Sequence, residues 1–594
     1  MKIHPPRRRR RFPTTAVFLC VLSVFCGAQV FADDPKRIEA LVKGGAPHLA
    51  LSLLERGQPP PEQRQAWLEW ERQRLGVLAA LHDWDGVARR VDQMPPDLPA
   101  EFRRFALLEA AQARLAAADA AGARAYLRRL IWREHGSARE LARWRRLVIR
   151  SYLQEDNLAD AQSALLRYQQ DYDARDEVWQ ILHAEILLRA DKPKAAFEML
   201  AGAQSHEARL LRALAALRAG SQRPHEVMAQ AERLALELRS KPALQRQARL
   251  LQAEAAARAQ SLSGRVLALE QALALPEAPV PDRLFAARAD DLWSAYDLLA
   301  EAIGGALRLP AGNDQAWSAK AGSYARQDRH YARALHAYLT IRGREEPARL
   351  TAHQELADSL LQDGGGEALQ ALYTKSARYP SLYAIPDAVR YRLADKALKD
   401  FNIQLAAGLV KDLATPPPGE DAGAWALRRA RALVYAGDLS SALALLRVIL
   451  DGERKVDDDL GGRILQVLFD LQAVGRHDDA VALLEALFKQ VDNERMRREI
   501  LYWQAESRAA AGRQLEAAEL YLRSATYPDV TGDDLWGQSA RFYAAEALGK
   551  AGLVPDARNV YLRLLRSTAD PKRRALIERN MQQLWLAEKE TTTR

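Results

Sequence analysis

A three-point pattern of residues recurs along most of the chain and constrains its fold more than any other feature. A small or turn-forming residue is followed five positions later by a small residue, and four positions after that by a large apolar one. A pattern with this period, repeated about a dozen times, indicates a linear array of short structural units and not several globular cores. The clearest copies are Gly437/Ala442/Leu446, Gly475/Ala480/Leu484, Gly512/Ala517/Tyr521 and Gly552/Ala557/Tyr561.

The spacing within each copy predicts a pair of antiparallel helices. Glycine ends a helix in the left-handed conformation at little cost, so it marks a tight turn. The small and the large residue that follow are four positions apart and therefore share one face of the next helix. A small side chain on that face lets two helix axes approach closely. No stretch alternates as a strand does, so we predict an all-α protein: an α-solenoid of about 12–15 degenerate helix pairs.

The positions of the copies predict how the chain is divided. Earlier copies begin at the following residues: Gly45, His82, Ala118, Asp156, Asp191, Arg329, Asp363 and Phe401. The wide gap between Asp191 and Arg329 lacks the pattern. We therefore predict N-terminal repeats over 33–205, an irregular helical middle section over 206–320 and C-terminal repeats over 321–590.

The segment over residues 510–525 resembles the middle of a tetratricopeptide repeat. Gly512, Ala517 and Tyr521 match the turn glycine, the small residue and the aromatic residue of that family. The resemblance implies a right-handed superhelix whose concave groove binds partner proteins or peptides. Tetratricopeptide proteins of the bacterial cell envelope commonly serve outer-membrane assembly, polysaccharide export or peptidoglycan machinery, and the sequence does not choose among these roles.

The first 32 residues have the pattern of an export signal. Lys2 and the run from Arg7 to Arg11 precede an uncharged apolar stretch, and Val30-Phe31-Ala32 offers a cleavage site. We predict a periplasmic protein cleaved after Ala32, the alternative being an uncleaved anchor in the inner membrane. Six of the 86 basic residues lie in this segment, so cleavage lowers the formal net charge from +9 to +3. The basicity therefore gives no support for a nucleic-acid partner.

The sequence contains none of the motifs that would assemble an active site. Both cysteines, Cys20 and Cys26, lie in the signal, and no zinc-binding, phosphate-binding or nucleophile-elbow motif is present. We predict no cofactor, no metal site and no enzymatic activity. The first alternative is a cell-wall enzyme related to the superhelical lytic transglycosylases, for which Glu506-Ser507 is the candidate catalytic pair. The second is a polymer-guiding subunit of exopolysaccharide secretion.

The strongest local charge is a basic stretch of nine arginines from Arg124 to Arg150. Four of them, Arg139, Arg143, Arg146 and Arg150, recur at helical spacing and share one face. Arginine binds carboxylates and phosphates well, so an acidic polysaccharide, a lipid headgroup or an acidic protein surface is a candidate partner. The alternative is a solvated face balanced by acids on neighbouring repeats. Together these features predict a non-enzymatic exported scaffold that mediates protein–protein interactions in the cell envelope.

Overall fold

The computed structural model describes residues 35–43, 46–172, 175–277, 283–451 and 455–592. Within these residues the chain forms thirty α-helices, one short 3-10 helix and no strand, which confirms the predicted all-α class. The chain divides into two compact units, residues 1–199 and 200–594. The predicted export signal and its cleavage site lie outside the described residues.

The first unit contains ten helices. They are α1 (Pro35–Lys43), α2 (Pro47–Arg56), α3 (Arg64–Ala80), α4 (Trp84–Asp92), α5 (Ala100–Ala116), α6 (Ala120–Arg133), α7 (Ala138–Gln154), α8 (Leu158–Tyr172), α9 (Glu177–Arg189) and α10 (Pro193–Met199).

The second unit contains twenty α-helices. They are α11 (His206–Ala219), α12 (Pro224–Glu237), α13 (Pro242–Arg258), α14 (Leu262–Leu273), α15 (Ala289–Leu307), α16 (Asp314–Tyr324), α17 (Arg329–Arg342), α18 (Glu346–Gln362), α19 (Gly366–Thr374), α20 (Asp387–Lys399), α21 (Ile403–Val410), α22 (Ala422–Tyr435), α23 (Leu439–Leu450), α24 (Asp458–Ala473), α25 (His477–Gln490), α26 (Glu494–Ala510), α27 (Gln514–Thr526), α28 (Leu535–Lys550), α29 (Val554–Ser567) and α30 (Pro571–Thr592). The 3-10 helix, Leu382–Ala384, lies between α19 and α20.

Consecutive helices joined by tight turns pack as antiparallel pairs, which is the arrangement of a tetratricopeptide-like array. In the first unit the pairs are α3/α4, α5/α6, α7/α8 and α9/α10; in the second they include α20/α21, α22/α23, α24/α25, α26/α27 and α28/α29. We call the two members of a pair its first and second helix. First helices also contact the first helix of the next pair, as α22 contacts α24.

The turn inside most pairs has one left-handed residue, and at five of these turns the next side chain caps the second helix. Gly437 has φ of 81°, and non-glycine residues take the same conformation at other turns, including Ala118 with φ of 61°. Asp438 and Asp119 follow them, and each carboxylate accepts a hydrogen bond from the backbone N–H three residues further on. These caps satisfy an otherwise unpaired N–H group at the start of the second helices that have them.

The structure places the recurring turn residues at these left-handed positions. The set comprises His82, Ala118, Asp156, Asp191, Phe401, Gly437, Gly475, Gly512 and Gly552. Two other copies differ: Gly364 and not Asp363 has positive φ, and Arg329 is the first residue of α17. Gly45 lies outside the described residues.

The residues that follow each turn lie in the core between helices. The alanines five positions on are fully buried, as are the large side chains four positions further: Ala442, Leu446, Ala480, Leu484, Ala517, Tyr521, Ala557 and Tyr561. The small residue allows close approach of the two helices, and the large one fills the space toward the next pair.

The predicted irregular section contains two regular pairs and one departure from pairwise order. α11/α12 and α13/α14 pack as pairs, whereas α15 packs against both α17 and α19. A buried polar network joins α14, α15 and α17. Arg333 Nε donates to Glu270 Oε1 at 2.8 Å, and the Tyr296 hydroxyl donates to the same oxygen at 2.7 Å. The irregularity therefore begins at α15 and not at residue 206.

Candidate interaction groove on the first helices

Two positions on the first helices between α18 and α28 form rows across consecutive pairs. One lies nine residues before the left-handed turn residue and the other six, so the two are neighbours on the helix surface. The first row is Arg392, Arg428, Gln466, Trp503 and Tyr543; the second is Asp358, Asp395, Arg431, Phe469 and Glu506.

Residues of the two rows contact each other across neighbouring helix pairs. Asp358 of α18 forms an ion pair with Arg392 of α20, with two hydrogen bonds between them. Asp395 of α20 accepts a hydrogen bond from Arg428 of α22 at 3.4 Å. Each contact thus joins the second-row residue of one pair to the first-row residue of the next.

Further along, the same position is filled by aromatic rings. The centroids of Phe469 on α24 and Trp503 on α26 are 4.5 Å apart. Between α26 and α28, the ring centroids of Tyr502 and Tyr543 are 6.1 Å apart. Contacts of either kind close the surface between neighbouring first helices.

The contact between α22 and α24 is different and leaves a groove. Arg431 does not reach across to Gln466 but forms an ion pair with Asp470, with 2.8 Å between Nε and Oδ2. The hydroxyl of Tyr435 also donates to Asp470, and this hydrogen bond raises the pKa of Tyr435. A cavity of about 700 Å³ lies beside these residues.

The groove has an apolar floor and arginine walls. Buried Leu427 and Val467 form the floor, and its lining includes Pro417, Pro418, Gly419, Glu420, Asp421, Ala424, Arg428, Arg431, Arg463 and Gln466. The side chain of Arg431 is 53% exposed, whereas that of its partner Asp470 is 9% exposed. The carboxylate thus lies deep while the guanidinium faces solvent, and its remaining N–H groups are able to bind a second acceptor.

The candidate catalytic pair Glu506-Ser507 lies inside a repeat. The Tyr521 hydroxyl donates to Glu506 Oε1 at 2.6 Å, and Gln472 of α24 donates to the buried Ser507 hydroxyl at 2.7 Å. Burial, together with the Glu506 carboxylate, raises the pKa of both Tyr502 and Tyr521 far above the usual value. These contacts hold neighbouring helices together, and helix pairs continue on both sides of them.

The predicted arginine face of α7 is partly compensated. Arg146 donates to the Tyr168 hydroxyl at 3.3 Å and lies 3.8 Å from Asp176. Arg139, Arg143 and Arg150 are exposed. Arg143 also acts on Glu109 of α5, whose pKa is raised by burial against the attraction of that arginine.

Two classes of site are absent from the described ranges of the chain. Their His, Asp and Glu side chains form no group of three or more that could hold a metal ion. No helix within these ranges is long and apolar enough to cross a membrane.

Comparisons with known proteins give only distant matches. No protein family and no curated protein matches the sequence. Among solved structures, maize pentatricopeptide repeat protein PPR10 is 13% identical over 94% of this chain and 88% of its own, with a TM-score of 0.26. Yeast Tom70 is 11% identical over 76% of this chain and 97% of its own, with a TM-score of 0.22. The fold assignment therefore rests on the helix packing itself.

The groove was not among the residues predicted from the sequence. A signal for it exists, because counting back nine residues from each turn glycine gives Arg428, Gln466, Trp503 and Tyr543. Gln466 is the one member that offers neither a full charge nor an aromatic ring to its neighbour.

Proposed function

We propose that the protein is a non-enzymatic, exported scaffold that binds an extended segment of a partner protein in the groove between α22 and α24. The observation that carries the proposal is a shift of the cross-pair contact: Arg431 of α22 still binds α24, but it does so at Asp470, one helical turn beyond Gln466, which is left exposed. Beside Gln466 a cavity of about 700 Å³ opens to solvent, with the largely buried side chains of Leu427 and Val467 at its base. A concave site with apolar side chains at its base and polar side chains at its walls is typical of a binding site.

The chemistry of the groove favours a partner segment with an apolar anchor flanked by acidic residues. Leu427 and Val467 would contact the anchor. Arg428, Arg431 and Arg463 are each about half exposed, and each forms an ion pair with a carboxylate of the chain. The N–H groups that these pairs leave unused would bind carboxylates of the partner. An extended peptide fits because it would cross the two helices without a large conformational change in the scaffold.

Synthetic peptides test this proposal directly. Fifteen-residue fluorescent peptides with a central Leu or Phe would carry flanking Asp and Glu, or Lys at the same positions, and anisotropy would give their affinities. We expect the acidic peptides to bind more tightly than the basic ones. Gln466→Trp should abolish binding, because an aromatic ring at this row would fill the groove.

The matched control is Val448→Trp on the second helix α23, where the native side chain is 74% exposed. This variant introduces the same indole away from the groove and should bind the acidic peptides as the parent does. Equal affinity for acidic and basic peptides, or unchanged binding by Gln466→Trp, would contradict the proposal.

The envelope location has its own support and its own test. It is supported by the basic, apolar and small-residue regions of residues 1–32. Cell fractionation followed by N-terminal sequencing should give a periplasmic chain that begins at Asp33. Recovery from the cytoplasm with Met1 intact would contradict export. A zymogram on purified peptidoglycan should show no clearing, and a clearing band would contradict the non-enzymatic role.

A further inference from the structure

The acids inside the arginine-rich stretch of the first unit do not neutralise its arginines. Its two acids, Glu134 and Glu140, form ion pairs with arginines outside the stretch. Arg103 Nε lies 3.1 Å from Glu134 Oε1, and Arg104 Nε lies 3.3 Å from Glu140 Oε1. Neither acid is therefore left to neutralise the nine arginines between 124 and 150.

Acids on neighbouring helices compensate only part of the stretch. Three of its arginines form ion pairs of this kind: Arg124 with Glu155, Arg129 with Asp92 and Arg146 with Asp176. Five others lie beyond ion-pair distance of every carboxylate in the described residues: Arg128, Arg133, Arg139, Arg143 and Arg145. The alternative of a fully balanced solvated face therefore fails for these five.

Two of the five arginines, Arg128 and Arg133, lie on α6, and the other three lie on different sides of α7. Arg143 and Arg145 are two residues apart, so their side chains point in nearly opposite directions. Arg145 points toward α6, where its guanidinium lies 5.5 Å from the ring centroid of Trp132. Its Nε is buried and has no hydrogen-bond partner among the described residues. This side differs from the face predicted from Arg139, Arg143, Arg146 and Arg150.

An exposed tryptophan of α6, Trp132, lies at the centre of the side that carries Arg145. Trp132 is 73% exposed although it is among the largest apolar side chains of the unit. Arg128 precedes it by one helical turn on the same face of α6, and Arg133 is its neighbour in sequence. We call Arg128, Trp132, Arg133 and Arg145 the tryptophan patch.

A second exposed apolar residue lies on the second helix of the next pair, at the position that Arg128 has on α6. Leu166 on α8 follows its left-handed turn residue by ten positions, as Arg128 does on α6, and it is 52% exposed. The second helices thus present large apolar side chains together with cationic ones. Tryptophan and arginine are also the side chains that bind at the boundary between lipid headgroups and acyl chains.

We propose that the tryptophan patch binds the surface of an anionic lipid bilayer. The guanidinium groups of Arg128, Arg133 and Arg145 would contact lipid phosphates, and the indole of Trp132 would enter the interface. An acidic polymer would satisfy the arginines, whereas the membrane interface would also take up the exposed indole of Trp132. A bilayer satisfies both kinds of side chain and needs no shape complementarity.

Vesicle binding of the full chain tests the proposal. The probes are phosphatidylcholine vesicles with and without about 30% phosphatidylglycerol. The vesicles that contain phosphatidylglycerol are also prepared with brominated acyl chains, which quench nearby indoles. Each basic residue near an anionic surface strengthens binding about fivefold. Arg128→Glu/Arg145→Glu should therefore weaken partitioning into phosphatidylglycerol vesicles by about thirtyfold or more.

Two further variants separate the patch from other basic regions. Arg139→Glu/Arg143→Glu makes the same change of charge on the opposite side of α7 and should have a much smaller effect. Brominated lipid should quench the parent more than Trp132→Phe, and this difference reports on position 132 even though residues 1–32 carry their own arginines. Equal quenching of the two chains, or equal loss of binding in both double variants, would overturn the proposal. Binding of an acidic polysaccharide without vesicle binding would do so as well.

Discussion

A buried histidine in α17 should make the second unit less stable in mild acid. His336 is 7% exposed, and its Nδ1 has no hydrogen-bond partner within the described residues. Burial lowers the pKa of His336 to about 4, from an ordinary value of 6.5. In the unfolded segment, therefore, His336 is protonated below about pH 6.5, whereas in the folded segment it stays neutral down to about pH 4. The stabilisation is complete above pH 6.5 and is lost as the pH falls through this window.

The two pKa values set the size of the effect. Between pH 7.5 and pH 5, linkage predicts that His336 lowers the local free energy of unfolding by about 2 kcal/mol. His336→Leu should remove this part of the decrease. The same substitution at the exposed His135 is the control and should leave the decrease as in the parent.

Amide hydrogen exchange is the suitable assay, because repeat arrays need not unfold in a single step. Opening free energies of α17 peptides would be measured at both pH values and corrected for the intrinsic exchange rates. The reasoning would be refuted if His336→Leu and the parent lost the same free energy between pH 7.5 and pH 5.

Three further substitutions test the packing of the second unit by chemical denaturation. Gly437→Ala should destabilise the fold by about 1–2 kcal/mol because φ is 81°, whereas Gly462→Ala inside a helix should stabilise it slightly. Changes of the same sign in the free energy of unfolding would contradict the turn assignment. Ala442→Leu should cost about 1–3 kcal/mol through overpacking, and a neutral result would mean that the helices are not closely packed there. Arg333→Met should cost about 3–5 kcal/mol because it leaves Glu270 buried and unpaired, and adding Glu270→Met should restore part of the loss.

The spacing of small residues predicts most of the helix pairs, because close packing dictates it directly. His82, Ala118 and Asp156 are not glycines, yet they take left-handed φ because the buried residue five positions later fixes where the turn must fall. The pattern fails where the turn is longer. After Gly220 the buried residues are Val227 and Ala231, seven and eleven positions on, so this pair was missed.

The candidate groove depends on contacts that one-dimensional spacing does not contain. The sequence does not show whether Arg431 binds Asp470 or Gln466. Only the packed helices show that it binds Asp470 and leaves Gln466 exposed. The arginine stretch is similar. Its sequence shows the excess charge, but the pairing of Glu134 with Arg103 and the contact of Arg145 with Trp132 come from the packing of α5, α6 and α7.

Site-specific photo-crosslinking tests the central claim, that the groove between α22 and α24 binds a partner protein. A photoreactive phenylalanine analogue would replace Gln466 in one strain and the exposed Val448 of α23 in another, and intact cells would be irradiated. We predict a discrete adduct from position 466 alone, crosslinked through a segment of the partner in which acidic residues flank an apolar one. The same adducts from both positions, or none from position 466, would contradict the account.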